Sequence, residues 1–175
     1  RYDGTHATQA PVPVGGSFTY QVTFPDPGMY WFHPHIREDY GQEMGLYGNV
    51  IVDPADPDYW APVNRELTLV LDDILMILGQ VAAFSQSASN RTSMGRFGNV
   101  FLVNGEPRWT LDARPGEVVR LYFTNAANAR TFNLSIAGAR MKLVAGDMGR
   151  VAEERWVESV VLGAAERWVV DVRFD

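Results

Sequence analysis

Apolar and polar residues alternate with a period of two along most of the chain, and this pattern predicts β-strands. In the stretch SFTYQVTF the apolar positions are Phe18, Tyr20, Val22 and Phe24. The same alternation recurs in ELTLVL, EVVRLYFTN, TFNLSI and RWVVDVRF. Because successive side chains of a strand point to opposite faces, each stretch predicts a strand with one buried face.

Clusters of turn-forming residues separate the predicted strands. They are PVPVGG, PDPG, VNGEP, ARPGE and AGDMG. Short strands with frequent turns are typical of a Greek-key β-sandwich, whereas a doubly wound α/β sheet would need helical crossovers that the pattern does not show. Only residues 73–94 are ambiguous, between a helical turn and a polar loop. We therefore predict an all-β sandwich.

A stretch rich in proline and aspartate, DPADPDYWAPVNR, interrupts the strand pattern at residues 53–65. Proline cannot continue a strand ladder, so we predict a linker at residues 55–65. It would join a first unit, residues 1–54, to a second unit, residues 66–175. A unit below roughly 60 residues has a marginal core. We interpret the first unit as part of a domain whose partner strands are missing.

Composition excludes several classes of function. The net charge is −6 with a pI of about 5.0, which argues against a nucleic-acid-binding surface. The sequence contains no run of roughly 18 apolar residues, so no membrane-spanning helix is predicted. Cysteine is absent, which excludes disulfides, thiolate nucleophiles and cysteine-ligated metals. The opening RYDGTHATQ lacks both a signal-peptide pattern and a start methionine, so we expect a piece of a longer protein.

Two of the three histidines lie in the sequence YWFHPH, at His33 and His35. Residues two positions apart on a strand share a face, so the two imidazoles are predicted to project together. They could bind one metal or two neighbouring metals, and imidazole suits copper, zinc, iron and nickel. A pair of surface histidines at a strand end is the alternative, because a bare H-x-H pattern is not specific.

Longer segments around this pair resemble a known family. DGTHATQAPVPVGGSFTY, PGMYWFHPH and GLYGNVIVDP are similar to the first cupredoxin domain of the multicopper oxidases, the laccase-like enzymes. VNGEPRWTLDARPGEVVRLYFTNAANARTFNLSIAG, VAGD and GAAERWVVDVRFD resemble the second cupredoxin domain. The resemblance covers nearly the whole chain and implies a cupredoxin-like fold with one partial and one nearly complete domain.

The resemblance also implies roles for individual residues. His33 and His35 would each bind one copper of the binuclear type 3 pair. Asp3 would be a proton relay near the type 2 copper, with a turn-forming aspartate as the alternative. His6 has no ligand counterpart and is expected to face solvent. The acidic residues after the pair are interpreted as a solvated loop: Glu38, Asp39 and Glu43. Arg37 could pair with one of them, with a small effect on stability.

The parent protein implied by the resemblance couples one-electron oxidation of phenols, aromatic amines or metal ions to reduction of dioxygen to water. Its cofactor is copper and its partners are a small reductant and dioxygen, without nucleic acid or membrane. The family leads us to expect a secreted or periplasmic protein. This chain has no cysteine for a type 1 copper and at most two cluster histidines, so alone it is expected to be inactive and weakly copper-binding or metal-free.

Two other functions remain open from the sequence. The chain could be a non-catalytic cupredoxin-like interaction module, in which the histidines are relics. An unpaired sheet edge would then favour a homo-oligomer or pairing with the missing strands. A relative of the copper nitrite reductases ranks last, because their type 1 site needs a cysteine.

Overall fold

The computed structural model of the protein describes residues 4–5, 7–84, 95–147 and 149–175. Within these residues the chain forms a single short helix, α1 (Glu38–Glu43), and twelve strands. The strands are β1 Gly28–Phe32, β2 Gly48–Val52, β3 Arg65–Ile74, β4 Met76–Ile77, β5 Gln80–Val81, β6 Val100–Val103, β7 Val118–Asn125, β8 Phe132–Leu134, β9 Ala139–Gly146, β10 Gly149–Val157, β11 Val160–Leu162 and β12 Arg167–Phe174.

Six strands form the largest sheet, in the order β10-β9-β12-β7-β3-β6. Neighbours are antiparallel except β3 and β7, which run parallel. Three two-stranded sheets complete the described part: β1-β2, β11-β8 and β4-β5. The all-β prediction is confirmed.

The main core lies between one face of the large sheet and the small β8–β11 sheet. Its buried members are Leu69, Leu71, Val119, Leu121, Phe123, Met141, Leu143, Val160, Leu162, Val170 and Val172. The predicted strands at β3, β7, β8 and β12 are thereby confirmed, since their alternating apolar residues point into this core.

The opposite face of the large sheet is covered by the β1–β2 hairpin. Met29 of β1 is only 1% exposed and packs with Tyr122, Val144, Ala145 and Val169. Burying a methionine side chain contributes about 1.5–3 kcal/mol. The hairpin is therefore fixed on the large sheet.

The linker stretch is also held on this face. Trp60 packs beside the Met29 cluster, and the guanidinium of Arg120 lies 4.9 Å from its ring centre. Arg120 donates to Asp171 at 2.7 and 2.9 Å and to the carbonyl of Ala61 at 2.9 Å. One buried, hydrogen-bonded arginine thus attaches the linker backbone to the sheet.

The strand predicted at residues 17–24 is wrong, because the structure shows no strand there. Phe18, Tyr20, Val22 and Phe24 are 53, 47, 47 and 38% exposed. A strand needs a neighbour to satisfy its backbone groups, and β1 pairs only with β2 among the described residues. The alternation is present in the sequence, but this structure provides no ladder for it.

The ambiguous range 73–94 is settled in part. β3 continues to Ile74, and β4 and β5 form a short hairpin with a turn at residues 78–79, so no helix forms in residues 73–81. Residues 85–94 lie outside the described residues.

The acidic segment after the histidine pair is not the predicted solvated loop but forms α1, in which Glu38 is half-exposed and Glu43 is buried. The predicted pairing of Arg37 is confirmed. Arg37 precedes the helix with a left-handed φ of 48° and donates to Asp39 at 3.1 and 3.2 Å. At the other end Gly45 has φ +84°, and its N–H donates to the carbonyl of Gln42 at 2.9 Å. A left-handed glycine of this kind commonly ends a helix.

Glu43, at the end of α1, is 4% exposed because it forms a buried ion pair with Arg96. Arg96 Nε and Nη2 donate to the carboxylate at 2.8 and 2.9 Å. Arg96 also donates to the carbonyls of Ala82 and Ala83, and Glu43 accepts the N–H of Leu75 at 3.1 Å. The pair joins α1 to residues 75–83 and to Arg96.

Replacing Arg96 with methionine should lower the free energy of unfolding by about 3–5 kcal/mol, because Glu43 would stay buried without a counter-charge. Urea unfolding followed by circular dichroism measures this. The matched control is Arg173→Met, whose partner Asp175 is half-exposed at 3.8 Å; it should cost about 0–1 kcal/mol. Similar losses in the two variants would contradict the assignment.

Candidate metal centre

The imidazoles of His33 and His35 lie on the same side of the extended segment that follows β1. Their ring centres are 4.7 Å apart. The indole of Trp31, two positions earlier, stacks on His33 at 4.3 Å with 20° between the planes. The predicted common orientation is therefore observed, while metal binding stays a prediction.

Two close contacts at glycines position the histidine segment. A Cβ at Gly41 of α1 would lie 2.7 Å from Cγ of Pro34, the residue between the histidines. A Cβ at Gly48 would lie 2.5 Å from the ring of Phe32. Real Cβ atoms do not approach so closely, so α1 packs against Pro34 because position 41 is glycine. At position 48 the ring of Phe32 is 60% exposed and can shift.

One carboxylate faces both rings. Oε1 of Glu38 lies 3.5 Å from Nδ1 of His33, and Oε2 lies 3.7 Å from Nδ1 of His35. Burial lowers the pKa of His33, against the opposing effect of Glu38. His33 is therefore neutral at pH 7, which is the form that binds a metal ion.

The two imidazoles are chemically suited to copper, but two ligands are too few to complete its coordination. Imidazole nitrogen is a good ligand for copper, and the two rings are close enough to serve one ion each at neighbouring positions. In the part of the chain that the structure describes, no group of three or more histidine, aspartate or glutamate side chains is arranged to hold a metal ion. Other ligands would have to come from outside these residues.

Asp3 and His6 lie outside the described residues, so the proton-relay and solvent-facing predictions stay predictions. Gly4, which follows Asp3, lines a groove together with His33, Pro34 and His35. A second groove on the aromatic side of the pair is lined by Tyr20, Val22, Phe24, Tyr30, Trp31, Phe32, His33, His35 and Val50. His33 and His35 therefore line both grooves.

Asp72 of β3 is also a buried carboxylate, and it contacts Tyr47. The hydroxyl of Tyr47 donates to Oδ2 of Asp72 at 2.9 Å, and the N–H of Asp73 donates to Oδ1 of Asp72 at 2.7 Å. Burial raises the pKa of the Asp72 carboxyl to about 7, although both hydrogen bonds oppose the shift. Burial and the neighbouring Asp72 raise the pKa of Tyr47.

Further hydrogen bonds join residues 39–42 to residues 126–128. Gln42 donates to the carbonyl of Ala126 at 2.7 Å, and Asn128 donates to the carbonyl of Asp39 at 2.9 Å. We call the contacts that residues 39–49 make with residues 72–75, 96 and 124–128 the joint. The joint fixes the position of α1, which follows the histidines in the chain.

The chain is similar to known proteins over nearly its whole length. Family models described as multicopper oxidase match residues 1–57 and 78–175. The protein is 29% identical to Multicopper oxidase MmcO of Mycobacterium tuberculosis over 97% of this chain, and 30% identical to Laccase-13 of Arabidopsis thaliana over 81%. The chain belongs to the multicopper oxidase family.

Solved structures agree with this assignment. A multi-copper oxidase from Pseudomonas thermotolerans superposes with a TM-score of 0.81 at 28% identity, covering 99% of this chain. One from Pseudomonas parafulva also gives 0.81 at 28% identity, over 97% of this chain. The cupredoxin-like fold is thereby confirmed, and the family implies copper as cofactor.

This chain spans only part of these relatives: 38% of MmcO, 27% of Laccase-13 and 42% of the first Pseudomonas structure. Among the described residues, no helix is long and apolar enough to cross a membrane.

The buried Asp72 makes stability depend on pH. Its carboxyl is protonated in the folded protein up to about pH 7, whereas in the unfolded chain it ionises near its ordinary pKa of about 3.9. The folded state therefore binds more protons between these values, and the free energy of unfolding falls as pH rises from about 4 to 7. The loss from this group is on the order of 2–4 kcal/mol.

Asp72→Asn should remove this part of the pH dependence, because the amide does not ionise. Its oxygen still accepts the N–H of Asp73, and its NH2 group can donate to the hydroxyl of Tyr47. Urea unfolding across the same pH range, with wild type and variant in parallel, measures the difference. Glu153→Gln, at an exposed position, is the control and should leave the profile unchanged. Profiles of wild type and Asp72→Asn that run parallel would disprove the assignment.

Proposed function

We infer that this chain is part of an oxidase that couples one-electron oxidation of a small reductant to reduction of dioxygen to water. His33 and His35 would each bind one copper of a binuclear pair. The observation that carries the proposal is two imidazoles on one side of a segment, 4.7 Å apart, in a chain of the multicopper oxidase family. When bound, copper would supply the one-electron redox chemistry that these side chains lack.

The role of this chain in that reaction is to hold ligands in place. Four one-electron oxidations supply four electrons, which with four protons convert one dioxygen to two waters. The stacking of Trp31 on His33 and the packing of Gly41 on Pro34 restrict the rings. Fixed first ligands lower the cost of assembling the remaining coordination sphere. Asp3 is proposed as a proton relay on its place in the DG sequence alone.

The reductant is proposed to be a phenol, an aromatic amine or a metal ion. Relatives carry the names laccase and iron transport multicopper oxidase, so both organic and metal reductants are represented among proteins similar to this one. We also propose the family's secreted or periplasmic location, and a division of the chain into residues 1–54, a linker at 55–65 and residues 66–175.

By itself the chain is proposed to be inactive. It has no cysteine for a type 1 copper, and its three histidines include at most two ligands of the copper cluster. Two imidazoles leave most of each copper's coordination sphere to other groups.

A second candidate function is an interaction module, and one observation favours it. The alternating apolar side chains of residues 18–24 are substantially exposed. Burying them against another chain, or against strands outside this sequence, would remove apolar surface from water. In light scattering, a defined oligomer would favour the module, whereas a monomer or irregular aggregates would favour cover by other parts of a parent oxidase.

Copper loading tests the proposal. After incubation with Cu(II) and dialysis, elemental analysis should find less than one copper per chain, and oxygen uptake with a phenol should not exceed that of free copper. In titrations, the double variant His33→Ala, His35→Ala should bind copper at least about tenfold more weakly than wild type. His6→Ala is the control and should bind as wild type does.

Contrary results would separate the parts of the proposal. Tightly held copper with dioxygen-dependent phenol oxidation would contradict inactivity of the chain alone. Equal binding by wild type and the double variant would contradict the ligand assignment. The parent assignment also requires H-W-H-G upstream and H-C-H downstream in the gene, and their absence would remove it.

A further inference from the structure

Glu38, the first residue of α1, is placed between the two imidazoles. Each of its carboxylate oxygens faces the Nδ1 atom of a different ring, at 3.5 Å for His33 and 3.7 Å for His35. The side chain is 49% exposed, while the histidines are 15 and 29% exposed. A half-exposed carboxylate thus faces two more deeply buried rings.

Nδ1 of His33 is buried and has no hydrogen-bond partner among the described residues. Leaving a buried polar atom unsatisfied costs about 1–3 kcal/mol, so such atoms normally have a partner. Oε1 of Glu38 is a few tenths of an ångström beyond hydrogen-bonding distance. A small rotation of the half-exposed carboxylate would close that gap without moving the backbone.

Other charged groups near the pair are already engaged. Arg37 pairs with Asp39 through both carboxylate oxygens, and Glu43 pairs with Arg96. Within the described residues, the ion-pair partners of Glu38 are the two histidines alone. Glu38 is therefore the carboxylate available to both rings.

The chemistry of imidazole gives this contact a consequence. A neutral ring carries one N–H, and the other nitrogen has the lone pair that binds a metal. Histidines that bind metals almost always donate the remaining N–H to a carboxylate or carbonyl, which fixes the tautomer and the ring orientation.

We propose that Glu38 is a positioning residue: its carboxylate accepts the Nδ1–H of His33 and of His35, and so leaves Nε2 of both rings free to bind copper. That the two rings bind copper rests on the proposed function above. The tautomer that Glu38 selects is a property of the metal-free chain.

The first test therefore uses no metal. With only three histidines in the chain, ¹⁵N–¹H spectra that correlate ring nitrogens with ring protons can be assigned by the variants His6→Gln, His33→Gln and His35→Gln. At about pH 8, above the ordinary imidazole pKa of about 6.5, wild type should show His33 and His35 mainly as Nδ1–H tautomers. Glu38→Ala should shift both rings toward the Nε2–H form.

Two further variants separate this role from general effects. Asp39→Asn removes the neighbouring carboxylate of the same helical turn and should leave both tautomers as in wild type. Glu38→Gln retains one acceptor oxygen and should restore the Nδ1–H tautomer at one ring only, because its NH2 group faces the other ring. Unchanged tautomers in Glu38→Ala would overturn the proposal and assign Nδ1 of His33 to the backbone of Pro34, the other nearby group that favours its proton.

The second test measures Cu(II) affinity by titration of the full chain. Glu38→Ala should bind about 10–100-fold more weakly than wild type, the usual effect of removing a partner of a metal ligand. Asp39→Asn should bind as wild type does. An affinity unchanged in Glu38→Ala would overturn the positioning role, whereas failure of wild type to bind copper through His33 and His35 would count against the proposed function instead.

Discussion

The buried ion pair between Glu43 and Arg96 is the interaction on which the placement of the candidate site depends. α1 has six residues, and a helix so short is not stable in isolation. Its last residue carries a charge that could not be buried alone, and Arg96 balances it with direct hydrogen bonds. Because α1 begins three residues after His35, the position of the helix determines where the histidine segment can lie.

The consequence is that the segment carrying the two candidate ligands is held in place by contacts of β1 and α1 with the rest of the chain. Met29 anchors β1 on the large sheet from one side, and the joint anchors α1 from the other. His33 and His35 lie on the chain between these two attachments. Two candidate ligands that need further ligands from elsewhere must be held in a fixed position. In designed sites, side chains displaced by about 1 Å because their supporting residues are loosely packed give a weakened site.

Much of the fold could be predicted from the sequence, where alternation and burial coincide. β7 and β12 alternate because the core takes every second residue. β9 escaped prediction because Leu143, Val144 and Ala145 are all buried in succession, one face against the main core and the other against the β1–β2 hairpin, so the period of two disappears. Residues 17–24 alternate but form no strand. Alternation shows that one face of a segment is apolar, but a strand also needs a neighbouring strand, which the local sequence does not provide.

Of the candidate site, only the histidine pair could be predicted from the sequence. Two residues separated by one position on an extended segment point to the same side, whatever the rest of the fold. Glu38 and Glu43 lie in a polar run, and their roles depend on partners that local sequence does not identify; Arg96 is 53 positions from Glu43. Neither buried core cluster includes His33 or His35, and the joint is built of carboxylates, amides and an arginine. The two imidazoles are instead oriented by protein contacts, which are the stacking of Trp31 on His33 and the packing of Gly41 on Pro34.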